Sequence, residues 1–303
     1  MADLSVDLGF LKLRNPVLAA SGTFGYGLEF SPFLDFRKIG GLVVKGIYFG
    51  PREGNPPPRL VETTGGLINA IGLPGVGVER FCEETLPRLR EIDTTVFINV
   101  CGEDDEEYIR VIERLEREPG IAAYELNISC PNVKKNGVCP ALNAQSTYTL
   151  VRMAKSAARR PLIAKLSPNV TSITEIAGAA AEGGADGISL INTLLAMAVD
   201  VETRKPRLGN ILGGLSGPAV KPIALRMVYQ TASAVKIPVI GVGGIVTGND
   251  ALEYLIVGAR AVQVGTASFA DPAATERIAA EMEEYCDRTG VRKISDLVGS
   301  LKV

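Results

Sequence analysis

Short apolar runs recur along the chain, and a longer amphipathic segment usually separates each run from the next. Apolar content within the runs is nearly continuous, which is typical of parallel strands that are buried on both faces. The pattern predicts strands at Pro16–Ser21, Gly41–Lys45, Val96–Val100, Tyr124–Ser129, Leu162–Leu166, Gly187–Ile191, Pro238–Val242 and Ala261–Val264. It predicts helices at Glu79–Arg90, Asp104–Glu116, Ser146–Arg159, Thr174–Gly183, Lys221–Val235, Asn249–Val257 and Ala273–Arg288, with a weaker helical stretch around Leu28–Phe36.

Eight such strand–helix units predict an α/β fold, namely a (β/α)8 TIM barrel. The alternative, a doubly wound sheet, normally shows about five or six units. Gly9 lies in a short N-terminal stretch that predicts a β-hairpin at the bottom of the barrel. Because α/β barrels of about 250 residues are commonly one domain, we expect residues 1–303 to form a single domain.

Three connections, residues 46–77, 130–145 and 192–219, are longer than a barrel needs. They follow the second, fourth and sixth predicted strands, at the C-terminal face where barrel active sites lie. Long loops in a compact domain are usually functional or disordered, and the Pro, Gly and Asn content here favours ordered lids. We therefore expect the functional site at this face.

Composition and charge narrow the class of partner. Hydrophobic residues make up 46% and charged residues 22%, the balance of a soluble globular protein. With a net charge of −2, the chain has no excess of basic residues for binding nucleic acid or an anionic membrane. No run approaches the roughly 18 apolar residues of a membrane span, and the N-terminal residues carry no export signal. Five cysteines without a C-x-x-C spacing argue against a disulfide framework and a metal site. We expect a cytoplasmic protein without a metal.

The chain contains no histidine, so a general base must be Cys, Lys, Asp, Glu or Tyr. Cys130 follows the fourth predicted strand, at the head of a long loop on the catalytic face. A lone cysteine is more often a small buried hydrophobe, but an ordinary thiol pKa of about 8.5 makes it a usable base with modest electrostatic help. Cys139 shares the loop and is its one competitor. Cys82, Cys101 and Cys286 receive no role.

Polar residues stand at several predicted strands where packing alone would favour apolar ones. They are Lys45, Asn99, Asn127, Lys165, Asn192 and Thr193. A single buried polar residue is commonly a structural hydrogen bonder. A set that converges on one barrel mouth is better explained by a polar ligand.

Glycines follow the last two predicted strands, in the stretch from Gly241 to Gly244 and at Gly265, beside Thr266. Barrels often bind phosphate with the backbone of these loops, although each glycine alone could simply permit a turn. The chain has neither a P-loop nor a dinucleotide fingerprint. The pattern therefore favours a mononucleotide such as FMN.

Longer motifs resemble a known family, the class 1 dihydroorotate dehydrogenases, and within it the B-type catalytic subunit. These motifs cover nearly the whole chain: ASGTFGYG at 20–27, VVKG at 43–46, PREGNPPPR at 51–59, NAIGLPG at 69–75, NISCPNVK at 127–134, AKLSPNV at 164–170, INTLLAMAVD at 191–200, GGLSGPAVKPIALRMVYQ at 213–230, GVGGI at 241–245 and VQVGTAS at 262–268.

The resemblance implies oxidation of (S)-dihydroorotate to orotate in de novo pyrimidine (UMP) biosynthesis. Cys130 would take the C5 proton while a hydride passes from C6 to N5 of FMN. The substrate would contact Lys45, Asn69, Ala70, Ile71, Gly72, Leu73, Asn127, Asn132, Asn192 and Thr193. FMN would contact Ala20, Ser21, Lys45, Gly46, Asn99, Asn127, Lys165, Ile191, Gly217, Gly243, Gly244, Gly265 and Thr266. Lys165 would face the N1–C2=O edge of the flavin.

The resemblance also implies partners. Class 2 relatives use serine as the base and carry a membrane-associating helix, and this chain has neither feature. The fumarate-using A type lacks stretches such as LSGPAVKPIALRM. B-type relatives pass electrons to NAD through a separate subunit that carries FAD and a [2Fe–2S] cluster. A homodimer joined to two such subunits, as a heterotetramer, is therefore expected.

Other functions remain open from the sequence. A flavin-free barrel lyase or aldolase would use Lys165 as a Schiff base. A related FMN barrel could use fumarate or another acceptor. The pyrimidine-reducing dehydrogenase shares much of the barrel but has histidine where Asn132 stands. A non-catalytic scaffold could retain the fold alone.

Overall fold

The computed structural model describes residues 2–129 and 140–302. Its strands are β1 (Val6–Asp7), β2 (Lys12–Leu13), β3 (Val17–Ala19), β4 (Gly41–Ile47), β5 (Leu60–Thr63), β6 (Gly66–Asn69), β7 (Val96–Val100), β8 (Ala123–Asn127), β9 (Leu162–Lys165), β10 (Gly187–Leu190), β11 (Leu194–Met197), β12 (Val199–Asp200), β13 (Lys205–Pro206), β14 (Leu212–Ser216), β15 (Val239–Val242) and β16 (Ala261–Val264).

The helices are α1 (Val78–Arg80), α2 (Leu86–Leu89), α3 (Asp105–Leu115), α4 (Ala144–Ala157), α5 (Ile173–Glu182), α6 (Lys221–Ala234), α7 (Gly248–Ile256), α8 (Ala267–Ala270) and α9 (Ala274–Thr289). A π-helical segment, Phe81–Thr85, joins α1 to α2. Short 3-10 helices lie at Leu28–Phe30, Phe36–Lys38, Pro140–Leu142, Pro218–Val220 and Ile294–Leu297.

Eight parallel strands close into a barrel in the order β3-β4-β7-β8-β9-β10-β15-β16. Almost every residue of these strands is buried, because side chains fill the barrel on one side and meet the surrounding helices on the other. The predicted (β/α)8 barrel is confirmed. All eight predicted strands are present, with ends shifted by no more than two residues.

The helices follow the predicted periodicity, with two differences. The predicted helix over Glu79–Arg90 contains a π-helical segment just before Pro87, which cannot donate a backbone hydrogen bond. The weak stretch after β3 forms only 3-10 helices. Helix α9 packs against β3 and α7, and so covers the barrel beside its first strand.

Capping residues fix where the longer helices begin. The Asp104 side chain accepts a hydrogen bond from the backbone N–H of Glu107 at the start of α3. Thr247 and Asp250 form a reciprocal capping box at the start of α7. These caps set the first residues of α3 and α7, the helices that follow β7 and β15.

The N-terminal hairpin pairs β1 with β2 and turns at Gly9, whose φ of +82° is readily adopted only by glycine. Phe10 in this turn lies against Gly187, the first residue of β10. Because strands begin at the bottom of a barrel, the hairpin covers that end, as predicted.

Two of the long connections contain an additional antiparallel sheet, in the order β11-β14-β6-β5. The sequence predicts these loops but not this sheet. Its buried face packs around Val61, Ile68, Ala70 and Leu208, apart from the barrel core. The sheet therefore forms an ordered wall at the C-terminal face. Within residues 2–129 and 140–302, no helix is long and apolar enough to cross a membrane.

Candidate functional site

A cleft with about 600 Å³ of open space, part of it continuous with solvent, lies at the C-terminal face of the barrel. Residues from β3, β9, β10, β14, β15 and β16 and the loops after them line it: Ala20, Ser21, Thr23, Lys165, Ile191, Asn192, Thr193, Leu215, Ser216, Gly217, Val220, Val242, Gly243, Gly244, Ile245, Val246, Gly265, Thr266 and Ala267. Lys165 is the charged side chain of this lining.

Backbone geometry accounts for two of the glycines in the lining. Gly244 has a φ of +66°, and a Cβ there would lie 2.8 Å from the carbonyl oxygen of Gly217. Gly217 has a φ of +100°, and its own Cβ would lie 2.7 Å from Cα of Gly66. A side chain at either position would be strained and crowded. The loops after β14 and β15 therefore approach each other closely, with bare backbone at the cleft wall.

Gly241, which the sequence groups with the phosphate glycines, has a different environment. It lies outside the cleft lining, and the ring of Tyr254 occupies the space of its missing side chain. The Tyr254 hydroxyl donates a 2.6 Å hydrogen bond to the carbonyl oxygen of Gly243. Gly241 thus admits the tyrosine, and the tyrosine holds the loop that contributes Gly243 and Gly244.

Beneath Lys165 lies a buried carboxylate that the sequence prediction missed. Glu125 of β8 is fully buried, and its Oε2 lies 3.7 Å from the Lys165 ammonium. The ammonium also donates a 3.3 Å hydrogen bond to Oε1 of Gln263. Lys165 is therefore held from below by an ion pair and an amide.

The predicted amide residues form one hydrogen-bonded chain across the barrel. Asn192 donates to Ser129 at 2.8 Å, and Ser129 donates to Oδ1 of Asn127 at 3.1 Å. Asn127 donates to Oδ1 of Asn99 at 3.2 Å, and Asn99 donates to Oε1 of Glu125 at 2.8 Å. The chain links the residues predicted for substrate to those predicted for cofactor.

Lys45 stands on another side of the barrel mouth. The pairing of β4 with β7 changes register between Val44 and Ile47, so Lys45 lies at an irregularity in its strand. Its ammonium is 4.4 Å from the centre of the Tyr26 ring. Burial raises the pKa of Tyr26, and its neutral hydroxyl accepts a 3.2 Å hydrogen bond from the backbone N–H of Val76.

The predicted substrate segment from Asn69 to Leu73 is held by its backbone. The Asn55 side chain donates to the carbonyl of Ala70 at 2.9 Å, and the Asn55 N–H donates to the carbonyl of Ile71 at 3.0 Å. Leu73 has a φ of +51°, which non-glycine residues seldom adopt. Such strained conformations concentrate at functional sites.

The cysteines of the described residues differ in their surroundings. Burial raises the pKa of Cys82 to about 11 and also raises the pKa of Cys286, so both are protonated at neutral pH. Cys101, for which the sequence suggests no special surroundings, is instead buried beside the amide chain, with its thiol 3.4 Å from Oδ1 of Asn99. Cys130 and Cys139 lie outside the described residues.

The cleft brings together many of the predicted residues and leaves others apart. It includes Ala20, Ser21, Lys165, Ile191, Asn192, Thr193, Gly217, Gly243, Gly244, Gly265 and Thr266. Asn99 and Asn127 connect to it through the amide chain, whereas Lys45, Gly46 and residues 69–73 lie outside its lining. Asn132 lies outside the described residues.

Several functional candidates are absent from the sequence prediction: Tyr26, Glu125, Ser129, Tyr254 and Gln263. A charged or amide side chain within an otherwise apolar strand, as in Tyr124-Glu125-Leu126, was an available signal. Among residues 2–129 and 140–302, no group of acidic, cysteine or histidine side chains is arranged to hold a metal.

Fold and site together define a class: a (β/α)8-barrel protein whose C-terminal face combines a glycine-lined cleft with a buried lysine and a chain of amides. A family model for dihydroorotate dehydrogenase matches residues 3–286. The chain belongs to the dihydroorotate dehydrogenase family.

Individual relatives agree with that assignment. The chain is 54% identical over 301 residues to the dihydroorotate dehydrogenase B (NAD(+)) catalytic subunit of Geobacter metallireducens, covering 99% of both chains. It is 51% identical over 303 residues to the protein of the same name from Bacteroides thetaiotaomicron, covering both chains fully. The predicted resemblance to B-type catalytic subunits is confirmed.

A solved structure supports the fold. The crystal structure of DHODH in complex with ferulenol from Eimeria tenella superimposes with a TM-score of 0.82 at 23% identity, covering 98% of this chain and 88% of that chain.

Proposed function

We propose that this chain oxidises dihydroorotate to orotate, a step of de novo pyrimidine biosynthesis, as an FMN-carrying catalytic subunit. One observation carries the proposal: the amide chain from Asn192 to Asn99 ends beneath a glycine-lined cleft that contains Lys165. Amide groups match the donors and acceptors of a pyrimidine ring, and a buried ammonium beside bare backbone suits an anionic cofactor.

The cleft fits a mononucleotide. Gly217 and Gly244 leave backbone at its wall because a Cβ would collide there, which suits close approach by a phosphate. We propose FMN contacts with Ala20, Ser21, Lys45, Gly46, Asn99, Asn127, Lys165, Ile191, Gly217, Gly243, Gly244, Gly265 and Thr266. When bound, FMN would accept at its N5 atom the hydride that leaves C6 of dihydroorotate. Lys165 would be one of the residues that hold FMN, and its ammonium would stabilise negative charge on the reduced ring.

The substrate residues then have separate tasks. Lys45 binds the substrate carboxylate, and Asn69, Asn127, Asn132, Asn192 and Thr193 bind the pyrimidine ring, with the backbone of residues 70–73. Cys130, the residue after Ser129 in the chain, removes the C5 proton as a thiolate. Loss of that proton and of the C6 hydride leaves the C5–C6 double bond of orotate, so the reaction balances.

Electrons leave through a second protein. The Geobacter and Bacteroides relatives are named as catalytic subunits of an NAD(+) enzyme, which supports a separate electron-transfer subunit for this chain. We propose that this partner carries FAD and a [2Fe–2S] cluster and reduces NAD. In this proposal residues 1–303 form one FMN-binding domain, and two copies join two partner subunits as a cytoplasmic heterotetramer.

The test is anaerobic mixing of the purified, FMN-loaded chain with dihydroorotate, followed by flavin absorbance. The flavin band should bleach with dihydroorotate and persist with dihydrouracil, which separates this enzyme from the pyrimidine-reducing dehydrogenase. Reoxidation by NAD should require the partner subunit, and fumarate should not replace NAD. A chain that binds no flavin, or one that dihydrouracil reduces equally well, would contradict the proposal.

A further inference from the structure

The buried carboxylate of Glu125 accepts hydrogen bonds from three other barrel strands. Asn99 of β7 donates to Oε1 at 2.8 Å. Ser189 of β10 and Gln263 of β16 each donate to Oε2 at 2.7 Å. With the Lys165 ammonium 3.7 Å away, four groups surround a carboxylate that has no exposed surface. These hydrogen bonds and the ion pair offset the free-energy cost of burying a charged carboxylate, which would otherwise be large.

Two hydrogen-bonded chains start from this carboxylate, one from each oxygen. From Oε2, Gln263 donates its NH2 to Glu125 and accepts from Lys165 with its own oxygen. From Oε1, Asn99 donates to Glu125 and accepts from Asn127. The second chain continues to Ser129 and Asn192, and every member donates toward Glu125. Because a carboxylate can only accept, Glu125 sets the donor-to-acceptor direction of every hydrogen bond in both chains.

We propose that Glu125 is a positioning residue that orients Lys165 toward the cofactor and the amide chain toward the substrate. The inference rests on the proposed function, because it concerns the residues assigned there to FMN and dihydroorotate. Glu125 touches neither ligand in this account and acts only through the side chains that it holds. Gln263 acts in the same way on the lysine alone.

The chemistry of a carboxylate explains why glutamine cannot replace it. A carboxylate accepts at both oxygens, whereas an amide accepts at one and donates at the other. In Glu125→Gln, one side of residue 125 becomes a donor that faces a donor. If it faces Gln263, that amide must turn its NH2 toward the Lys165 ammonium, and the lysine also loses its counter-charge. If it faces Asn99, the amide chain must reverse.

The test is a double-mutant cycle on FMN binding with the full-length chain after removal and re-addition of FMN. Glu125→Gln should raise the Kd for FMN at least about tenfold in the wild-type background. In a Lys165→Met background it should weaken FMN binding much less, because only the path through Asn99 and Asn127 remains. Equal weakening in both backgrounds would overturn the proposal, since Glu125 would then act on the fold as a whole.

Two further variants separate positioning from general destabilisation. Ser189→Ala removes a donor to the same oxygen but leaves the path from Gln263 to Lys165 intact, so its FMN affinity should stay within about twofold of wild type. Gln263→Leu cuts that path alone, so it should weaken FMN binding, but by less than Glu125→Gln. If Ser189→Ala weakens FMN binding as much as Glu125→Gln, the effect belongs to barrel packing and the proposal fails.

The reduction potential of bound FMN gives a readout that a structural role would not move. A displaced Lys165 stabilises reduced flavin less well, so Glu125→Gln should shift the potential downward, toward the value of Lys165→Met. An upward shift would overturn the proposal, because Glu125 would then act as a simple opposing charge. Failure of wild-type protein to bind FMN would instead contradict the proposed function and is visible before any variant is made.

Discussion

The hydroxyl of Tyr254 donates a 2.6 Å hydrogen bond to the carbonyl oxygen of Gly243, which lines the cleft. Tyr254 is fully buried on α7, and burial raises its pKa well above the usual range, so the hydroxyl remains a donor across the working pH range. The contact ties a helix outside the barrel to the glycine loop after β15.

Removal of this hydroxyl should loosen the glycine loop. Tyr254→Phe keeps the ring that packs over Gly241 but leaves the Gly243 carbonyl unpaired. We expect the free energy of unfolding to fall by about 1 kcal/mol and the Kd for FMN to rise about fivefold. Denaturant unfolding and flavin titration measure the two effects. The exposed Tyr229→Phe is the control and should change neither; unaltered FMN affinity in Tyr254→Phe would show that the loop needs no such support.

Tyr26 should matter to substrate binding through its ring and to stability through its hydroxyl. Tyr26→Leu removes the ring beneath Lys45, and we expect the Kd for orotate to rise about five- to tenfold. Tyr26→Phe keeps the ring and loses only the bond from Val76, so it should cost about 1 kcal/mol of stability and leave orotate affinity within about twofold. Equal orotate affinity in the two variants would contradict a role for the ring.

Asp250 should make stability depend on acid pH. Partial burial alone raises its pKa, but hydrogen bonds from Lys221, Val246 and Thr247 outweigh burial and place the pKa below the ordinary 3.8. A depressed carboxyl pKa contributes stability above pH 3.8, and that contribution is lost as pH falls through the folded-state value.

The comparison of Asp250→Asn with wild type at several pH values tests this. The variant should be less stable by about 1–2 kcal/mol near pH 7, and the difference should shrink as pH falls below 3.8. The exposed Asp296→Asn serves as a control and should show little difference at any pH. A difference that stays constant with pH would mean that the charge of Asp250 contributes nothing.

The barrel was predictable because each of its strands carries a local signal. Near-continuous apolar runs such as Val96–Val100 are typical of parallel strands that are buried on both faces. The additional sheet has no such signal. Its central pairing joins β6 to β14, including Asn69 with Gly214, across 145 positions of sequence, and β14 has glycine at two of its five residues. Only the folded barrel brings these two loops together.

The functional site likewise contains residues that the sequence predicts and residues that it does not. Lys165 and the asparagines could be predicted because they stand at strand ends, where a barrel places its functional groups. Glu125 could not be assigned a purpose from the sequence. Its partners Asn99 and Gln263 lie 26 and 138 positions away, and their identity decides whether the buried charge is satisfied. Cys130 remains a prediction, because it lies outside the described residues.

The rate of flavin reduction by dihydroorotate in Cys130→Ala, followed in a single anaerobic turnover, tests the central claim most directly. General-base catalysis contributes about 100- to 10,000-fold, so the variant should be slower than wild type by at least about 100-fold while it binds FMN and orotate normally. Cys82→Ala, which alters a buried thiol on the outer helices, should reduce its flavin at the wild-type rate. Flavin reduction in Cys130→Ala at the wild-type rate would contradict Cys130 as the base that removes the C5 proton.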